Sequence, residues 1–383
     1  GGWLKPTVRA TTYSGRNLMP QNKVLLSLRG LRKTFDTQEA VSGLDLDVYE
    51  GEFITLLGPS GCGKTTTLRI IAGLEMPTAG RVFLDSEDIT RLAPEKREVN
   101  TVFQNYALFP HMNVWKNIAY GLRMRGASRA EIDEKVPQML EMVQLEGFGR
   151  RLPSQLSGGQ RQRVAIARSL ILSPKLLLLD EPLGALDLQL RRQMQQELKR
   201  MQRQLGITFI YITHDQEEAM TMSDRIALMR DGRFVQLDTP KGLYEQPRTA
   251  FAASFIGETN LISATASAVK DDEVLLDISG FEVPCACEDW ITPGEQLLIS
   301  LRAERLRLAS QPVNMPCRVT GELLESQYAG SERTSLVRLP DGQVLHVRSA
   351  TEGEQVPGEG SQVCVWWQQT TGVIVRDDRE ENQ

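Results

Sequence analysis

Three short segments of this sequence carry residue types suited to phosphoryl chemistry. Gly58-Pro59-Ser60-Gly61-Cys62-Gly63-Lys64-Thr65-Thr66 fills the pattern G-x-x-x-x-G-K-[ST] and runs one residue past it. Glycines there let backbone N–H groups converge on phosphate oxygens without Cβ clashes, and a helix N-terminus adds partial positive charge. Lys64 is then expected to reach the β and γ phosphates of ATP, and the Thr65 hydroxyl to ligate Mg2+. Asp180-Glu181 closes the apolar run Leu176-Leu177-Leu178-Leu179. A buried parallel strand explains the leucines but not two adjacent acids at its carboxyl end, which is where open α/β sheets bind ligands. Asp180 can hold Mg2+, directly or through water, and Glu181 is placed to polarise an attacking water as general base. The other reading of Asp180 is a helix N-cap.

The third segment, Leu156-Ser157-Gly158-Gly159-Gln160, precedes an amphipathic helix that starts at Arg161. Alone it is an ordinary helix start. Beside the first loop it is a second anion-binding helix end, and one nucleotide does not need two of them in one subunit. Three further polar residues are ambiguous when read singly. His214 follows an apolar strand and would be a satisfied edge residue, Gln104 a solvated polar side chain, and Asp187 the N-cap of the helix that follows it.

The elements that must position these residues are legible around them. Phe53–Leu57 predicts a strand before the phosphate loop, and Gly63–Gly73 a helix after it. Leu176–Leu179 and Thr208–Thr213 predict further strands, with Gln189–Gln204 a helix between them. This alternation argues for a parallel α/β core over residues 24–257. Residues of about 106–169 read as a helical insertion that includes Arg129–Val143. After Gly257 come short alternating runs (Val274–Ile278, Gln296–Arg302, Thr334–Val337, Val344–Val347, Val363–Trp367), separated by Pro-Gly and Asp-Gly turns. They predict a small all-β barrel or sandwich over 258–383. Trp366 and Trp367 are adjacent, so in a strand they face opposite ways and at least one is expected in the core. Residues 1–23 show no apolar periodicity and read as a flexible tail.

Composition narrows the function class. The chain has 383 residues, 41% of them hydrophobic, and a net charge of −5, so no basic footprint points to nucleic acid. No run approaches the roughly 20 apolar residues of a membrane helix, and no secretory signal is expected ahead of the first domain. Work at a membrane would require docking onto other subunits. The five cysteines fit a reducing compartment, and Cys285-x-Cys287 lacks the spacing of common zinc knuckles, reading instead as alternating strand residues.

Taken together, the segments resemble the ATP-binding cassette (ABC) transporter ATPases over most of the chain, from about Val24 to Val375. Leu156–Gln160 looks like that family's signature motif, Gln104 its Q-loop glutamine, Gly184-Ala185-Leu186-Asp187 its D-loop, and His214 its switch histidine. Phe35 occupies the place of the aromatic residue that stacks on adenine, where Tyr is more usual. The resemblance implies an α/β P-loop NTPase fold with a helical subdomain, followed by an all-β OB-like (TOBE) domain. It implies ATP and Mg2+ as ligands and a homodimer in which the signature motif of one copy faces the phosphate loop of the other. Glu181, His214 and Gln104 would then act on the attacking water, and Asp187 would link the two sites. Tyr106-Ala107-Leu108-Phe109-Pro110-His111-Met112 would form the groove for a permease helix, the other reading being core packing.

The β domain resembles those of importer ATPases. The stretches Val99–Met112, Leu205–Phe209 and Asp215–Arg225 are similar to the spermidine/putrescine importers, with iron, sugar and other solute importers as alternatives. Expected partners are two transmembrane permease subunits and an extracytoplasmic solute-binding protein, with the chain peripheral on the cytoplasmic side of a bacterial inner membrane. Soluble ABC ATPases of repair or translation usually carry a long coiled coil or two cassettes, and neither pattern is present.

Overall fold

In the computed structural model the described residues are 23–184, 186–270, 272–287, 291–351 and 357–379. The expected tail therefore lies outside them except for Lys23, as do Ala185 of the D-loop and residues 380–383.

The first domain opens with β1 (Val24–Phe35) and β2 (Gln38–Tyr49), followed by β3 (Phe53–Leu57) and α1 (Lys64–Ala72). Next come β4 (Ala79–Leu84), β5 (Glu87–Asp88) and β6 (Val99–Val102). Three helices follow, α2 (Val114–Met124), α3 (Arg129–Met142) and α4 (Gly158–Leu170). The chain returns through β7 (Leu176–Asp180), α5 (Leu188–Leu205), β8 (Thr208–Thr213) and α6 (Gln216–Met222). It then forms β9 (Arg225–Arg230), β10 (Arg233–Asp238), α7 (Pro240–Glu245) and α8 (Ala250–Phe255).

The central sheet has the order β10-β9-β3-β8-β7-β6, parallel throughout except for β10. Both of its faces are covered, which is why its strands read as apolar runs. On β7, Leu177 and Leu179 join the core under the helices α2 to α4, while Leu176 and Leu178 join the core under α1. The alternation on β8 is the same, with Phe209 and Tyr211 on one side and Ile210 and Ile212 on the other. Each such buried side chain contributes about 2 kcal/mol. A second sheet, antiparallel with the order β2-β1-β4-β5, packs into the core on the α1 side. This layer is not part of the α/β alternation expected over residues 24–257.

The second domain comprises β11 (Thr259–Lys270), β12 (Glu273–Ile278), β13 (Phe281–Ala286), β14 (Gln296–Arg302), β15 (Arg307–Ala309), β16 (Cys317–Ala329), β17 (Glu332–Arg338), β18 (Val344–Ala350), β19 (Gln362–Trp367) and β20 (Val373–Val375). Two five-stranded antiparallel sheets, β13-β12-β11-β14-β20 and β15-β19-β16-β17-β18, share one apolar core that includes the buried Trp367. Trp366 is only half-buried.

The last residues come back to the first domain. Arg376 pairs with Thr249, and its carbonyl accepts from Ala250 N. The buried Asp378 accepts from Phe251 N at the start of α8 and from Arg230 of β9. Arg302 at the end of β14 adds a buried guanidinium that donates to the carbonyls of Tyr244, Ala253 and Ile256.

Candidate active site

The phosphate loop leaves the carboxyl end of β3, between β8 and β9, and enters α1. Two glycines are dictated by close packing behind it. A Cβ on Gly58 would lie 2.2 Å from the carbonyl oxygen of Met229, and one on Gly63 would lie 2.3 Å from that of Ala40. Gly63 also has φ +102°, a conformation side chains disfavour. Lys64 begins α1 and folds back under the loop, where its ammonium donates to the carbonyls of Gly58 (2.7 Å) and Pro59 (2.8 Å). The residue is 5% exposed, and no carboxylate among the described residues lies in ion-pair range of it. A buried cation held by neutral carbonyls at a helix N-terminus suits a polyphosphate as counter-ion. Pro59, Ser60, Gly61, Thr65 and Thr66 line the outer part of the loop and the first turn of α1, half-buried or exposed, while Cys62 is buried, which pushes its thiol up.

The acids stand beside this loop. The Thr65 hydroxyl donates to Asp180 Oδ1 at 3.3 Å. Burial pushes the Asp180 carboxyl above the usual carboxylate range, and the Thr65 hydrogen bond opposes it. Asp180 ends β7 and caps no helix, because the next helix, α5, starts at Leu188 and is capped by Asp187. Glu181 has φ +43°, with its N–H bonded to the carbonyl of Ile212 on β8. This bend brings its carboxylate to both neighbours: Oε1 lies 3.2 Å from His214 Nδ1, and Oε2 lies 3.5 Å from Gln104 Nε2. Three loops after adjacent parallel strands β6, β7 and β8 thus converge on one carboxylate, at the sheet edge where such folds bind ligands.

The oxygen donors here are the Thr65 hydroxyl, the Asp180 carboxylate and the Gln104 amide. They are hard ligands of the kind Mg2+ takes, and few enough that phosphate and water would supply the rest. Among the described residues no group of three or more His, Cys, Asp or Glu gathers to form a metal cage.

Ser157 caps α4, its Oγ accepting from Gln160 N at 3.3 Å while the Gln160 side chain accepts from Ser157 N at 3.0 Å. Gly159 lets this helix start sit against α5, since a Cβ there would meet Leu190 at 3.0 Å, while Gly158 lies against Leu186, just before α5. Leu156 is buried and Ser157 exposed. Among the described residues this segment makes no hydrogen bond or ion pair with the phosphate loop of its own chain. Asp187 accepts from Leu190 N at 3.0 Å, and Phe35 ends β1 with an exposed ring 4.7 Å from the Lys33 ammonium.

The residues missed by sequence reasoning are those that hold the loop after Gln104. Tyr106 and Ala107 have φ +61° and +44°. Arg168 on α4 pays for that bend by donating to both their carbonyls, at 3.0 and 2.7 Å. The buried Asn117 clamps the carbonyls of Phe109, Met112 and Asn113. Arg168 lies among apolar residues of an amphipathic helix, so its one signal was a charge adjoining a buried face.

Residues 41–184 match the family model for ABC transporters, and residues 299–375 that for the TOBE domain. The spermidine/putrescine import ATP-binding protein PotA of Escherichia coli (strain K12) is 48% identical over 362 residues, covering 93% of this chain and 96% of that protein. PotA of Shigella dysenteriae serotype 1 (strain Sd197) matches to the same extent. Among solved structures, the dimeric post-hydrolysis state of the ATP-binding cassette MJ0796 bound to ADP and Pi is 34% identical with a TM-score of 0.51, covering 56% of this chain and 99% of that one. CbiO1 of Clostridium perfringens, part of the ABC transporter complex cbiONQ, is 30% identical with a TM-score of 0.54, covering 57% and 90%. On these matches the chain belongs to the ABC transporter ATP-binding proteins, a family of ATPases.

Proposed function

We propose that this chain hydrolyses ATP to drive polyamine import, as one of two identical subunits that complete each other's sites. The observation that carries the chemistry is the Glu181 carboxylate, held within 3.5 Å of both His214 and Gln104 at the rim of the phosphate loop. In this reading Lys64 and the loop N–H groups bind the phosphates. Mg2+, held by Thr65 and Asp180 with Gln104, would neutralise charge on the β and γ phosphates. Glu181 accepts a proton from the attacking water while His214 and Gln104 fix that water's position. Phe35 offers its ring to adenine.

Ser157 and the N–H groups of Gly158 and Gly159 serve the second copy. Among the described residues no hydrogen bond or ion pair joins them to their own chain's phosphate loop, and they open a helix N-terminus, where backbone N–H groups carry partial positive charge. Two-fold pairing would use each such surface twice and give two shared sites, with Asp187 between them. The dimeric state named for one solved relative supports this arrangement.

The polyamine assignment rests on the name shared by relatives 48% identical over almost the whole chain. Such a subunit would work on the cytoplasmic face of a bacterial inner membrane, against two permease subunits that receive cargo from an extracytoplasmic binding protein. The Tyr106–Met112 loop is the docking groove in this reading. Uptake into vesicles reconstituted with the permeases and binding protein tests it. ATP-dependent uptake of putrescine or spermidine is expected; uptake of ferric iron or a sugar with neither polyamine would overturn the cargo assignment.

A further inference from the structure

The peptide on either side of His214 is fastened by side chains, although the imidazole itself is exposed and touches Glu181. Thr213 Oγ1 donates to Glu218 Oε2 at 2.7 Å and accepts from Asp215 N at 2.9 Å. Tyr211 donates to the same Glu218 oxygen at 2.7 Å, and Asp215 Oδ1 caps α6 by accepting from Glu218 N. The backbone that carries the imidazole is therefore held by this frame. Among the described residues, one side chain from outside the β8–α6 segment bonds to this frame. Arg191, on the first turn of α5, donates through Nη1 to Asp215 Oδ2 at 3.2 Å, and its Nε lies 3.9 Å from Glu218 Oε1. Through Nη2 the same guanidinium donates to the carbonyl of Leu186 at 3.0 Å. Leu186 lies beside Asp187 in the segment that also packs on Gly158.

We propose that Arg191 is a positioning residue that sets His214 against Glu181 by tying the Leu186 carbonyl to the Asp215 side of the histidine loop. This rests on the roles given above to Glu181, His214 and the Leu186–Asp187 segment. A planar guanidinium fixes the separation of two acceptors as a flexible ammonium cannot. When a second copy presses on Asp187, the displaced Leu186 carbonyl moves Arg191, and the histidine loop follows. Arrival of the partner is thereby read at the catalytic base without a contact between the partner and His214.

The chain has three histidines, His111, His214 and His346, so isotope-labelled histidine gives a spectrum in which each ring is separable. In the full chain, Arg191→Lys is expected to shift the His214 ring resonances and leave those of His111 and His346 in place. Single-turnover hydrolysis should fall about tenfold in Arg191→Lys and Arg191→Ala with KM for ATP within about twofold. The same substitutions should cost less than about twofold in a His214→Ala background, because they act through that residue. An unmoved His214 resonance, or equal losses in both backgrounds, overturns the proposal. Should Arg191→Ala fail to fold, Arg191→Lys carries both measurements. A His214→Ala chain that hydrolyses at the wild-type rate instead sinks the role assigned to His214 itself, a separate and recognisable failure.

Discussion

The hydroxyl of Tyr106 donates to the carbonyl of Pro182 at 3.1 Å, joining the loop after β6 to the residue that follows Glu181. The tyrosine is buried and its backbone sits in the left-handed region, so the contact is held from both ends. It ties the Tyr106–Met112 loop directly to the segment that carries Glu181.

Tyr106→Phe should keep the fold and leave the Pro182 carbonyl without its donor, at a cost of about 1–3 kcal/mol. Urea unfolding measures that cost. ATP turnover with permeases present should fall several-fold while ATP affinity is retained. Unchanged stability and unchanged turnover together would mean the hydrogen bond carries nothing.

Glu181→Gln removes the carboxylate proposed to accept the proton and keeps the shape. Turnover is expected to drop by at least about 100-fold, with ATP affinity changed little. At saturating Mg-ATP the variant should sediment as a dimer. A monomer under those conditions would contradict the shared-site reading.

Ser157→Arg should abolish hydrolysis and leave ATP binding to the isolated chain nearly intact. Lys64→Ala should weaken that binding. Mixing these two inactive variants gives dimers in which one site pairs an intact phosphate loop with an intact Ser157 segment. Activity should reappear on mixing if sites are shared, and stay absent if each chain serves its own nucleotide.

Burial pushes the Cys285 thiol up to about 12 and that of Cys317 to about 11. A thiol with pKa near 12 is ionised in roughly one molecule in ten thousand at about pH 8, and the thiolate is the reactive form. Iodoacetamide should therefore modify the half-buried Cys287 first and reach Cys285 and Cys317 only after unfolding. Peptide mass spectrometry at increasing denaturant follows the order.

Much of the site was legible because its chemistry restricts residue types locally. The phosphate loop, the acids after a leucine strand and the Ser-Gly-Gly helix start each occupy fewer than ten consecutive positions. The pairing of Glu181 with His214 and Gln104 was legible only through family resemblance, since the partners come from three separate loops. The contacts of Arg168 with Tyr106 and of Arg191 with Asp215 span 62 and 24 residues and leave no local pattern. The antiparallel layer was hidden for another reason. Register shifts at Leu28/Leu31 and Lys33/Thr34 break the period-two alternation that announces such a strand. In the β domain the turns are strong and the alternation clean, and Gln296–Arg302 was bounded correctly.

The C-terminal segment docks beside the very stretch from which the β domain departs, with Arg376 against Thr249 and Asp378 at the start of α8. The β domain is thus a closed handle, fastened at both ends to one spot on the motor. A protease cut in the joint near Gly257 would open the handle without detaching it: the pieces would separate on a denaturing gel yet migrate together in native buffer. Trimming the chain before Val373 as well would remove the Arg376 and Asp378 ties and leave the β domain held to the first through Arg302 and its neighbours.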